Sequence, residues 1–464
     1  MKHSTKLFLA AAAIPLFALA LMAQQVNQVA DSGTKTETAK RKTDSTTAPK
    51  SATKISTVPA IEIQHIRPAD ARGLNVFEPP KADSIPYTGF KLGWGAAMTQ
   101  QFQGLRHSNT AAPNVVNNVN TNQLITIGNG FNNAVANIYL NAQVAKGIRL
   151  AMTSYASARH HQESWIKDGY ALVDESPIDN PLLNSIMKYT TLRVGHFEIN
   201  YGDEHFRRSD NGQAMYNPFV GNFILDAFTT EIGGEAYFRA GPWLAMGGVT
   251  GGEIHGQVTA PAKRSESYLA KVGFDNTFAK NLRFRLTGSM YANGQSASNT
   301  LYTGDRAGSR YYDVLENGAS TETANAWSGA IRPGFGNNVH AYVVNPFVKL
   351  GGVELFGNIE TASGKGGTEL INRTIRQYVG EGLYRFASDQ LYLGARYNTV
   401  KGELAGIPND INVNRWQYGG GWFVTPLLLT KVEYVNQKYL DFPTTDIRNG
   451  GQFKGFMVEG VLAF

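Results

Sequence analysis

A dense cluster of charged side chains is the part of the sequence best suited to chemistry. The cluster consists of Asp203, Glu204, His205, Arg207, Arg208 and Asp210. Arginine pairs with a carboxylate through two parallel hydrogen bonds, so the cluster could serve as a latch that fixes a loop. Around a narrow passage, the same mixture of charges would select permeating ions by their sign and size. The sequence leaves both interpretations open.

The segment that follows this cluster is apolar. Large exposed apolar patches are rare on proteins, so a loop of this composition is not expected to lie in water. We predict instead that loop 203–228 folds into the interior of a barrel and narrows its channel, with Tyr216 beside the charged cluster at the constriction. The aromatic residues predicted to pack on the inner wall are Tyr216, Phe219, Phe223 and Phe228.

The elements that must position this loop are strands with a two-residue period. In one of them, Leu282, Phe284 and Leu286 share one face, whereas Arg283 and Arg285 share the other. Alternation over about 10 residues fits a strand that crosses a tilted bilayer, and bacterial barrels have an even number of such strands. We therefore predict an all-β fold, a closed antiparallel transmembrane β-barrel of about 16 strands. The predicted strands span 88–100, 132–145, 147–158, 166–175, 189–201, 229–240, 242–253, 266–278, 281–293, 339–350, 352–363, 373–386, 389–400, 412–424, 427–439 and 452–464.

The strand pattern places arginines on the inner wall of this barrel. A ladder of such cations facing carboxylates would create a transverse field across a channel. The alternative is that polar inner faces carry charge merely to hydrate a channel. The predicted pore-wall arginines are Arg149, Arg239, Arg283, Arg285, Arg396 and Arg415.

The first 87 residues precede the barrel. A basic start, a short apolar centre and small residues near Ala23 predict a signal peptide over residues 1–23. Residues 24–60 are rich in Thr, Ser and Lys, which predicts a disordered tether. Residues 61–87 contain adjacent prolines, which predict an extended strap. The barrel then occupies residues 88–464.

The net charge of +6 is concentrated before the barrel. Residues 1–60 hold eight of the 43 basic side chains and only three of the 37 acidic ones, so the remainder is close to neutral. We therefore expect no nucleic-acid partner. The absence of cysteine excludes disulfides and thiolate sites. We expect no metal and no cofactor.

The passage RVGHFEINYGDE, Arg193 to Glu204, resembles the phosphate-selective porin O and P family of Gram-negative outer membranes. The resemblance implies a trimeric anion channel in which basic pore side chains bind the anion. Arg207 and Arg208 occupy the loop position where that role could lie. Because acidic residues interleave with them, we expect diffusion of small hydrophilic solutes or ions with weak anion selectivity. The ending at Phe464 resembles the strand that the barrel-assembly machinery recognises before insertion into outer-membrane lipid.

Two other functions are compatible with an outer-membrane barrel. One is adhesion or a structural role, carried by long loops such as 294–338. The other is a lipase-type hydrolase, for which His196 could act as the base. A Gly-x-Ser-x-Gly turn is absent from the sequence, so we expect no catalytic residues and no enzyme activity.

Overall fold

The computed structural model describes residues 58–79, 81, 85–160, 164–252 and 264–464. The predicted signal peptide and nearly all of the predicted tether lie outside these residues. Contacts divide the chain after Ala60, and the strands of the described residues all belong to the unit from Ile61 to Phe464. No helix in the described part of the chain is long and apolar enough to cross a membrane.

Sixteen strands form a closed antiparallel ring, as predicted. Each ring strand pairs with the next one along the chain, and the last strand pairs with the first, from Ala97 with Ala463 to Ser108 with Gln452. The ring strands are β1 (Lys91–Ser108), β5 (Val135–Ala145), β6 (Ile148–Ser157), β7 (Ser164–Val173), β8 (Thr190–Glu198), β9 (Thr230–Ala240), β10 (Trp243–Thr250), β11 (Ser267–Ala279), β12 (Leu282–Asn293), β13 (Asn338–Leu350), β14 (Val353–Lys365), β15 (Arg373–Phe386), β16 (Leu391–Gly402), β17 (Ile411–Thr425), β18 (Leu428–Leu440) and β19 (Gln452–Ala463).

Three short strands lie outside the ring. Strands β2 (Val115–Val116) and β3 (Val119–Asn120) form a hairpin with each other. Strand β4 (Gly130–Phe131) pairs with Phe102 and Gln103 of β1, where Phe131 lies opposite Phe102. This extra pairing accompanies a first strand that runs further than the predicted span 88–100.

The alternation of side chains gives the barrel an apolar outside and a polar inside. On β12, Leu286 is 42% exposed, whereas Arg285 and Thr287 are buried. On β17, Trp416 and Tyr418 point outward and Arg415 points inward. Branched and aromatic side chains favour such half-buried strands, which explains why these segments extend.

The two ends of the barrel differ in their connections. The end near Lys91 and Ala463, here called the terminal end, has short turns of two to four residues, such as 146–147, 351–352 and 387–390. Its exception is 174–189, which contains helix α1 (Pro181–Met187), started by Asn180, whose side chain accepts hydrogen bonds from two backbone N–H groups. The long connections lie at the opposite end, here called the distal end.

Three segments outside the barrel wall occupy the lumen. Residues 61–79 of the predicted strap 61–87, called the strap from here on, enter from the terminal end, where the Ala71 N–H donates to the Pro426 carbonyl at 2.9 Å. The inward loop, residues 199–229, lies across the middle. The distal loop, residues 294–337, packs on it through two backbone hydrogen bonds of 2.8 Å, from Phe228 and from Ile331. The inner wall is therefore covered by protein at this level.

Candidate functional site

The inward loop begins where β8 ends at Glu198 and enters the lumen at once. Its charged part begins with Asp203 and a single 3₁₀ turn, Glu204–Phe206. Its apolar part is buried, with Phe219, Phe223 and Phe228 each at most 3% exposed. The burial of these aromatic side chains stabilises the loop inside the barrel, and the charged turn must be satisfied by partners on the wall.

Asp203 forms the centre of a buried cluster of four charges. Its carboxylate accepts from Arg285 Nε at 2.8 Å and lies 2.7 Å from Lys271 Nζ. Glu78 of the strap binds the same two cations, 3.0 Å from Lys271 and 2.7 Å from Arg285. Burial alone would raise the pKa of both carboxyls, but Lys271 and Arg285 hold the pKa of Asp203 and of Glu78 below its usual range. The four charges compensate one another.

Both arginines of the loop are paired with carboxylates. Arg207 Nη2 lies 2.6 Å from Glu381 on β15, and Arg208 Nη2 lies 2.6 Å from Asp226 within the loop itself. Arg396 on β16 also binds Glu381, at 2.7 Å. The side chains of Arg207 and Arg208 are 5% and 0% exposed. The Arg207 pair is a latch between loop and wall, whereas the Arg208 pair fixes the loop to itself.

Two further members of the predicted constriction have different surroundings. Asp210 accepts from Lys167 Nζ at 2.5 Å and from the Tyr155 hydroxyl. Nε2 of His205 lies 2.9 Å from the Asn200 side-chain oxygen. Burial, followed by the nearby charge of Lys271, lowers the pKa of His205 well below its usual value, so the imidazole is neutral.

Tyr216 connects the inward loop to the strap. Its hydroxyl donates to the Pro68 carbonyl, and the Arg67 guanidinium stacks 3.5 Å from its ring centroid. A cation over an aromatic face is attracted by the ring's quadrupole. Tyr216, predicted at the constriction, therefore contacts the strap. The sequence indicates only that the strap precedes the barrel.

Glu204 is buried without an ion pair among the described residues. Burial, and then the negative charge of Asp226, raises the pKa of Glu204 well above its usual value. In the unfolded chain this carboxyl ionises at its ordinary pKa, so folding is penalised at every pH above that value. The penalty falls as the pH is lowered and vanishes near the unfolded pKa.

Glu204→Gln is therefore expected to stabilise the barrel at pH 8 by at least about 1 kcal/mol, the free energy of a one-unit pKa shift. The gain should disappear by about pH 4.5, the ordinary range of glutamate. Urea unfolding across this pH range measures it, with exposed Glu403→Gln as the matched control. A gain that persists at low pH would contradict the charge explanation.

The predicted wall arginines do not form one continuous ladder. Arg149 pairs with Asp174 at 2.7 Å, and Arg283 pairs with Asp275 at 2.6 Å. Arg415 instead donates to backbone carbonyls of both loops, Asn222 at 2.5 Å and Gly329 at 2.9 Å. With Arg285 and Arg396 described above, five of the six hold other segments or a neighbouring carboxylate.

Arg239, the sixth predicted wall arginine, lies at the terminal end. It stacks 5.3 Å from the ring centroid of Tyr237. It also lines a cleft of about 930 Å³ at the terminal end, together with Lys81, Lys188 and Tyr189. This cleft lies beside the turn region that contains α1.

Two lysines that sequence reasoning missed complete the site. Lys271, on β11, binds both Asp203 and Glu78. Lys431, on β18, donates to the loop carbonyls of Ala214, Asn217 and Phe219 at 2.9 to 3.0 Å and pairs with Glu459. In the two-residue period of their strands, both lysines occupy positions on the same face as buried residues. That inward-facing position is the sequence signal that could have revealed them.

The comparisons with solved structures concern porins and channels. The chain is similar to an anion-selective porin from Comamonas acidovorans, with 10% identity and a TM-score of 0.49 over 81% of this chain and 100% of that chain. It is similar to the outer membrane channel DcaP of Acinetobacter baumannii, with 8% identity and a TM-score of 0.48 over 82% and 99% of the two chains. It is also similar to the loop L8 deletion mutant of OmpT, an outer membrane protein of Vibrio cholerae, with 11% identity and a TM-score of 0.48 over 81% of this chain and 100% of that chain.

The barrel architecture itself rests on the strand pairing described above. The sequence matches no protein-family model, and no curated protein matches it. The resemblance to the O and P porin family therefore stays a prediction. His196, the candidate base of the hydrolase alternative, lies on the outward face of β8 with Val194, which is 56% exposed.

Proposed function

We propose that this chain is an outer-membrane porin for small hydrophilic solutes or ions. The observation that carries the proposal is a closed ring of 16 strands whose outside is apolar and whose inner wall is charged. A ring of this size encloses more space than its own side chains fill. Here the additional space is taken by the inward loop, the distal loop and the strap.

The loop contacts support a channel whose width depends on the inward loop. The paired charges of Arg207 and Asp203 hold the loop against the wall, the pair of Arg208 with Asp226 holds the loop to itself, and the fields of these charges act on any ion that passes. We propose weak anion selectivity, a homotrimeric assembly, and export by the predicted signal peptide. Insertion through the barrel-assembly machinery by way of Phe464 belongs to the same proposal.

Conductance across a planar lipid bilayer tests the proposal. The purified full chain is expected to give discrete current steps, and asymmetric salt gives the reversal potential that reports selectivity. Complete absence of steps from both the full chain and a variant lacking residues 61–79, each retaining the heat-dependent gel mobility of a folded barrel, would overturn the porin function.

Arg207→Ala combined with Arg208→Ala is expected to shift the reversal potential toward cations. The double substitution removes two positive charges and leaves Glu381 and Asp226 with fewer partners. Arg106→Ala with Arg376→Ala, two exposed arginines, is the matched control. An unchanged reversal potential would show that the loop arginines act only as a latch.

A further inference from the structure

The strap is built into the interior of the barrel. Phe77 is 2% exposed and packs edge-on against Phe206 of the inward loop, at 5.7 Å between ring centroids, and against Phe347 of β13, at 5.5 Å. Burying a phenylalanine side chain contributes strongly to association. The strap therefore touches both the wall and the loop that narrows the lumen.

Glu78 brings a carboxylate to a cationic site of the inner wall. It contacts Lys271 and Arg285 at the distances given above, and it accepts from the Asn200 side-chain nitrogen at 3.0 Å. Without Glu78, the site would contain Lys271, Arg285 and Arg283 but only two carboxylates, Asp203 and Asp275, the second of which lies 3.2 Å from Arg285 and 2.6 Å from Arg283. The remaining cluster would then carry one net positive charge.

Further side-chain contacts hold the strap in place. Asn75 donates to Glu354 of β14 at 2.7 Å, and its carbonyl accepts from Arg283 at 2.9 Å. At the terminal end, His65 lies 2.8 Å from Asp174. None of residues 58–79 belongs to a strand. The strap can therefore leave the lumen without breaking a single strand pairing of the barrel.

We propose that the strap is a tethered plug which closes the terminal end of the channel, with Glu78 occupying the Lys271–Arg285 site in place of a permeating anion. This inference rests on the proposed porin function. Departure of the strap opens the lumen and exposes the positive site. The opening of the channel and its preference for anions thus both result from departure of the strap.

The first test weakens the plug by substitution. Phe77→Ala with Glu78→Gln is expected to raise the open probability or mean conductance in planar bilayers at least twofold, and to shift the reversal potential toward anions. Glu62→Gln, an exposed carboxylate of the same strap, is the matched control. Gel mobility with and without heating verifies that each variant is folded.

The second test locks the plug. The chain has no cysteine, so a pair introduced by Ala71→Cys and Pro426→Cys supplies its only thiols. The backbone hydrogen bond of 2.9 Å between these residues makes their backbones neighbours, and a disulfide joins residues whose Cα atoms are about 4.4–6.8 Å apart. Opening events should cease in the oxidised protein and return on reduction.

The outcomes separate this inference from the porin function. Equal conductance and equal reversal potential in wild type, the plug variant and the oxidised pair would overturn the plug and leave the porin intact. If a variant lacking residues 61–79 is folded and still gives no current, the porin function fails. Opening on plug weakening together with closure on oxidation supports both.

Discussion

Glu381→Gln is expected to destabilise the barrel by about 3–5 kcal/mol, the usual cost of removing one member of a buried ion pair. The Glu381 side chain is 1% exposed and binds Arg207 of the inward loop and Arg396 of the wall, at 2.6 and 2.7 Å. One substitution therefore leaves two buried guanidinium groups without their shared anion. Their other hydrogen bonds go to neutral oxygens, which compensate charge poorly.

Urea unfolding of the protein refolded in detergent or lipid measures this loss. Asp389→Asn is the matched control, because its side chain is 57% exposed and its ion pair with Lys349 is at the surface, where such pairs contribute little. A loss below about 1 kcal/mol for Glu381→Gln would show that the two arginines find solvent or other partners, and that the latch is weak.

Lys431→Met is expected to release the inward loop. Its effect on conductance should be larger than that of Glu381→Gln. Lys431 Nζ satisfies the carbonyls of Ala214, Asn217 and Phe219, so its loss leaves three loop acceptors without that donor. It also leaves Glu459, whose side chain is fully buried, without its ion-pair partner. We expect about 3–5 kcal/mol of destabilisation and a mean conductance at least twofold higher.

A paired substitution separates these two effects. Lys431→Met with Glu459→Leu removes both charges, and such replacement of a buried pair by apolar residues is often close to neutral for stability. The double variant should therefore regain most of the stability while keeping the higher conductance, because the loop carbonyls still lack their donor. If the double variant regains both the stability and the conductance of the wild type, Lys431 does not hold the loop.

The barrel was predictable because the inside and outside of each strand repeat every two residues. Segments such as 282–293 and 411–425 carry that period clearly, and an even strand number follows from closure. Even the least regular predicted strand, 166–175, exists as β7, although Lys167 and Asp168 are adjacent and the pairing with β6 shifts at Thr153. The two-residue pattern is sufficient to predict these strands because it is set by residues close together in the sequence.

The ion-pair partners were not predictable from the same pattern. Glu78 meets Lys271 across roughly half the barrel sequence, and Arg207 meets Glu381 across 174 residues. Such pairs depend on the register of every intervening strand and on where a loop turns inward, which alternation does not encode. For the same reason the prolines of the strap indicated extended chain but not its path into the lumen.

The pairing of β1 with β19 determines when folding can be completed. Gln101 and Glu459 are hydrogen-bonded across this seam at 2.6 Å and lie 358 residues apart. The entropy of bringing such distant segments together opposes the contact until the chain between them is ordered. The enclosed lumen that receives the strap and both loops exists only once this seam has formed. Ring closure therefore completes the enclosure in which the charges of the lumen are dehydrated, and until then two strand edges stay open to other chains.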